Sequence, residues 1–129
     1  MCRVTHYSRL TVIVMDVPAA DREKEVAFWQ AATGAELTHY TRFPEYHGGE
    51  LTGTLELLVQ ELGDGPPRMH VDIHTDDLDA EVARLEALGA ERTEGHRPWV
   101  IMRDPAGLVF CVVPEPAESF DRTGATRWD

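Results

Sequence analysis

Met69-His70-Val71-Asp72-Ile73-His74-Thr75, running into Asp76-Asp77-Leu78-Asp79-Ala80-Glu81-Val82-Ala83 and closing on Leu88-Gly89-Ala90-Glu91, is the stretch on which the fold turns. Its first seven residues alternate: Met69, Val71 and Ile73 are apolar, while His70, Asp72 and His74 are polar. That is the period of a half-buried strand. From Leu78 the period changes, and Leu78, Val82, Leu85 and Leu88 fall on one side of a helix spanning about residues 78–88. Asp76 or Asp77 can cap its start, and Gly89 suits the left-handed conformation that closes many helices.

The same words occur upstream. Glu25-Val26-Ala27 followed by Gly34-Ala35-Glu36 repeats Glu81-Val82-Ala83 followed by Gly89-Ala90-Glu91, in the same order. The upstream copy also follows a strand-like segment, residues 10–17, rich in β-branched side chains. Its helix is predicted over 21–32, with Val26, Phe28, Trp29 and Ala32 on the apolar side and residues 21–25 solvated. Three short strands are predicted after each helix: 36–41, 46–51 and 55–62 in the first half, then 91–95, 99–103 and 108–114 in the second. Gly63-Asp64-Gly65-Pro66-Pro67 hosts neither helix nor strand and joins the halves. The sequence therefore predicts one α+β domain over 1–129, built from two βαβββ modules at about 9–62 and 68–114. Residues 115–129 show little periodicity and are predicted to be irregular, with Phe120 and Trp128 as anchors to the body or to a neighbouring subunit.

At 129 residues and 43% apolar, the chain can bury one core without metal or disulfide staples. Its apolar runs are strand-sized, with no signal-like region, which predicts a soluble cytoplasmic protein without a membrane span. Cys2 and Cys111 are read as reduced thiols in that setting. The formal charge of -11, from 23 acidic and 12 basic residues, disfavours nucleic acid and anionic lipid surfaces, both of which need a basic face. An acidic surface attracts cationic small molecules, and it is also what ordinary solubility looks like.

The second half, His70 through Glu81 with Leu88-Gly89-Ala90 and Asp104-Pro105-Ala106-Gly107, resembles the C-terminal module of the vicinal oxygen chelate group, the glyoxalase/bleomycin-resistance domains. Asp16-Val17-Pro18 with Phe28-Trp29 and Thr33-Gly34 resembles the N-terminal module of the same group, in particular its actinobacterial glyoxalase-like members. The resemblance covers about residues 9–114. It implies two modules curling a mixed sheet around a cleft with the helices outside, a small-molecule ligand, and a homodimer. It also implies a divalent metal (Zn, Ni, Mn or Fe) on four side chains, two from each module, acting as a Lewis acid on a substrate with adjacent oxygens.

Residue by residue, that metal set is incomplete. The strand pleat sends His70, Asp72 and His74 toward the cleft, and His70 matches the family's first ligand of its module. Its counterpart in the first module is Arg9, a cation that cannot ligate. The last-strand position is Cys111 instead of a carboxylate; a cysteine there can bind zinc or pack as a small hydrophobe. Gln60 or Glu56 would be His70's partner from the strand over 55–62. Without a metal, Arg9 could offer a guanidinium fork to an anionic ligand. His70 could act as a general base oriented by Asp72, and either residue could equally be structural. Trp99, Tyr46 and His47 are candidates for a stacking wall, while core or rim positions remain open for each. With two of four ligand positions departing from the pattern, the sequence favours a protein that binds a small organic molecule without transforming it. The alternative is a lyase, isomerase or dioxygenase.

Overall fold

The computed structural model describes residues 5–41, 43–93 and 98–129. Its order is β1 (His6–Pro18), α1 (Arg22–Thr33), β2 (Thr38–His39), β3 (Tyr46–Thr52), β4 (Leu55–Leu62), β5 (Arg68–Thr75), α2 (Leu78–Ala87), β6 (Glu91–Arg92), β7 (Val100–Arg103), β8 (Val109–Pro114) and β9 (Thr126–Trp128). Cys2 and part of the strand expected at 91–95 lie outside the described residues. The chain forms two compact units, Val12–His70 and Met1–Thr11 with Val71–Asp129. The boundary thus falls inside β5, past the Gly-Pro join, and β1 is divided as well.

In the Val12–His70 unit the strands run β2-β3-β4-β1, with β4 parallel to β1 and antiparallel to β3. Odd-numbered Met15, Val17, Leu57 and Val59 are buried, and Val26 and Trp29 of α1 pack on them. Phe28, expected on the apolar side of α1, instead stands largely exposed, edge-to-face against Trp29 at 5.1 Å. Val26 and Trp29 are three residues apart and share the inner face, which turns Phe28 aside; Trp29 Nε1 donates to Glu25 at 2.7 Å. Gly34 ends α1 at φ +79°, with its N–H on the Gln30 carbonyl.

The second unit repeats the pattern as β5-β8-β7-β6, with β5 parallel to β8 and the other pairs antiparallel. Val71, Ile73, Met102, Phe110 and Val112 meet Leu78, Val82 and Leu85 of α2. Asp77 is the helix cap, its carboxylate accepting from Ala80 N at 3.1 Å. Asp76 is used elsewhere and accepts from Tyr7 N at 2.8 Å.

The tail is not wholly irregular. Residues 126–128 form β9, antiparallel to His6–Ser8, a pairing of three residues too short to leave a period in the sequence. Phe120 is buried, and Trp128 Nε1 donates to Ser8 Oγ at 2.9 Å, so both anchors hold the tail to this unit. Among the described residues no helix is long and apolar enough to cross a membrane.

Candidate functional site

On the side of the first unit's strands turned away from α1, three strands contribute one row in register. Asp16 on β1 is opposite Gln60 on β4, which is opposite Tyr46 on β3. Tyr40, just past β2, continues the row with its N–H on the Tyr46 carbonyl at 3.0 Å. Asp16 is buried, and its carboxylate accepts from His70 Nδ1 at 2.5 Å. A carboxylate behind an imidazole fixes its tautomer and orientation, as a general base or a metal ligand requires.

The other end of the row is aromatic. Tyr40 meets Tyr46 edge-to-face at 6.4 Å, and Phe43 lies tilted on Tyr46 at 5.5 Å. The Tyr40 phenol passes over Gly48, where an added Cβ would sit 2.6 Å from its oxygen. Burial, and secondarily the Glu56 carboxylate, raise the Tyr40 pKa, so it remains a neutral hydroxyl at physiological pH.

The site residues expected from sequence separate onto different faces. Gln60 and Tyr46 belong to the row, and Glu56 shares their face one register step beyond Leu58. His47 does not join Tyr46 in a wall. It pairs with Val59 on the α1 side, because neighbouring residues of a strand point oppositely. Arg9 is committed to the tail: Nη1 donates to the carbonyls of Asp121 and Thr123, and the guanidinium lies 5.4 Å from the centre of the Phe120 ring. His74 pairs with Glu115 at 3.2 Å. Trp99 is half-buried, one residue before β7. Asp16 is the candidate site residue that sequence reasoning missed. Its alternation with buried Met15 and Val17 is the signal that could have found it.

In the second unit Asp72 is opposite Cys111, and Cys111 opposite Ile101, all on the face turned away from α2. Along β5 and its neighbour β8, a ligand oxygen of Asp72 and the Cys111 sulfur lie within 4.8 Å of one another. Carboxylate oxygen and thiolate sulfur are donors that suit a zinc-class ion. Cys111 is the last-strand position named from sequence, and Asp72 faces it across the ladder.

A family model, the glyoxalase-like domain, matches residues 12–113, and the chain belongs to that family. The vicinal oxygen chelate fold is shown by solved structures as well. Methylmalonyl-CoA epimerase from Mycobacterium tuberculosis superposes with TM-score 0.54 at 17% identity, over 85% of this chain and 90% of that one. The Streptomyces coelicolor methylmalonyl-CoA epimerase, in complex with 2-nitronate-propionyl-CoA, gives TM-score 0.59 at 19% identity, over 84% and 98%. The Mn(II)-bound glyoxalase from Novosphingobium aromaticivorans gives 0.55 at 20%, over 85% of this chain but 42% of that one. No curated protein matches the chain.

Proposed function

We propose that this protein binds a small ring-bearing organic molecule with neighbouring oxygens on the Asp16-Gln60-Tyr46-Tyr40 row. The in-register row carries the proposal: aromatic faces at one end offer stacking, and an amide and a carboxylate-held imidazole at the other offer directed hydrogen bonds. Sequestration without chemistry is the primary assignment. Proton transfer by His70 is the second, favoured by the Asp16 contact, which is what an oriented base needs. A zinc-class ion, when bound, would be held by Asp72 and Cys111 and would supply Lewis-acid polarisation of a ligand oxygen. The proposal includes a homodimer, in which exposed Leu88, Leu108 and Val109 are candidates for burial.

The test is a screen of oxygenated aromatic compounds against the wild-type chain by ligand-observed NMR, with mass spectrometry for product. Tyr46→Ala should weaken any hit about tenfold, the loss of one aromatic contact of roughly 1–1.5 kcal/mol. Asp16→Asn should weaken binding without turnover if the protein sequesters, and should abolish product if His70 transfers a proton. A hit untouched by both substitutions places the ligand elsewhere and ends the proposal.

A further inference from the structure

The opposite face of the first unit's strands carries a second cluster that the ligand row does not use. His39 on β2 stands directly opposite His47 on β3, with ring centres 4.8 Å apart and planes at 45°. The next pair along, Tyr40 and Tyr46, is joined by a backbone hydrogen bond. The two histidines therefore occupy the non-hydrogen-bonded position between ladder bonds, where side chains of antiparallel strands come closest.

His39 Nε2 lies 2.8 Å from the Pro44 carbonyl. A carbonyl can only accept, so Nε2 carries the proton and Nδ1 of the neutral ring holds the lone pair. A backbone carbonyl imposes that same arrangement on metal-ligating histidines. His47 Nδ1 is buried and meets no hydrogen-bond partner among the described residues. Burial foremost, then the positive potentials of His39 and Arg22, lower the His47 pKa against the opposing pull of Glu61, leaving the neutral form that can ligate. Arg22, the nearby cation, is paired with Glu61. The surroundings thus carry little net positive charge to repel an ion.

We propose that His39 and His47 form a binding site for a borderline divalent transition ion of the zinc or nickel class, one ring nitrogen from each, with water completing the shell. Imidazole suits these ions, and an open two-histidine site leaves positions for exchangeable ligands. The site lies on the α1 face and is independent of the ligand row and of the donors on β5 and β8.

The test is zinc titration calorimetry on the full chain carrying Asp72→Ala, which breaks up the other donor set. Zinc binding should persist in that protein and weaken about tenfold or more when His39→Ala is added. His39 is exposed, so this second change leaves the core intact. The affinity should also fall as pH drops below the ordinary imidazole value, since protons compete for the same nitrogens. In parallel, the imidazole NMR signals of both His39 and His47 should move on zinc addition. Loss of all zinc binding with Asp72→Ala alone, unchanged affinity after His39→Ala, or static signals from either ring would each overturn the proposal.

Discussion

Glu81 is a carboxylate with no exposed surface, placed on α2 where a helix would ordinarily bury a leucine. Arg84 donates to it from Nε at 2.7 Å and Nη2 at 2.8 Å, and His6 Nε2 lies 2.8 Å away. Burial acts to raise its pKa, but the hydrogen bonds from Arg84, His6 and Ser8 outweigh that and hold it below the ordinary value. A depressed folded-state pKa means the carboxylate stabilises the fold above its unfolded value near 4.5, and the contribution fades as pH falls through the folded value. Glu81→Gln should therefore cost about 3 kcal/mol in urea unfolding at neutral pH. The gap from wild type should close in acid; a gap that stayed constant would show that charge is not the cause. In sequence nothing sets Glu81 apart from the other acids near the helix start, because its partners His6 and Arg84 declare themselves only once the His6 end of β1 lies beside α2. Asp16 was hidden for a related reason: it looked like the end of a strand, whereas its neighbours Met15 and Val17 show it to be the outward half of an alternation.

At the scale of elements, β3 holds two glycines against close neighbours. A Cβ at Gly49 would stand 1.9 Å from the Glu36 carbonyl oxygen, a backbone atom, whereas one at Gly48 would meet only side-chain ends, Tyr40 Oη at 2.6 Å and Leu58 Cδ1 at 2.8 Å. Side chains can rotate away and a held backbone cannot. Gly49→Ala should accordingly destabilise by about 3 kcal/mol and Gly48→Ala by about 1 kcal/mol, with Tyr40 displaced in the latter. Denaturant midpoints that rank the two the other way would contradict this packing. The helices were legible, α2 over Leu78–Ala87 and α1 over Arg22–Thr33, because their periodicity is long and their glycine ends are marked. The strand at 55–62 was also read to its limits. The segment predicted at 36–41 shrank to Thr38–His39, since apolar alternation there is too brief to fix where pairing stops. Tyr46 and His47 were named together as candidates for a stacking wall, and the pleat sends them to opposite faces.

For the whole molecule, the repeated Glu-Val-Ala and Gly-Ala-Glu words gave away a doubled fold, while its division between units was not visible. The Gly-Pro segment looks like the natural join, yet the units divide at His70 and Val71, and residues up to Thr11 belong with the second half. Only long-range partners reveal that assignment: Trp128 against Ser8, Glu81 against His6, and Thr75 Oγ1 donating to the Tyr7 carbonyl at 2.8 Å. Arg9 depends on the same kind of partner, since in sequence a guanidinium that satisfies two tail carbonyls cannot be told from one offered to an anion.

The thirteen residues of β1 are one strand in geometry but divided in allegiance, and so need not open together. Amide deuterium uptake should register two levels of protection along it: His6 to Ser8 exchanging in step with Trp128 and α2, and Val14 to Val17 in step with β4. Trp128→Ala should speed uptake in the first group while leaving the second unchanged. A uniform rise along all of β1 would mean that the strand unzips as a single cooperative piece.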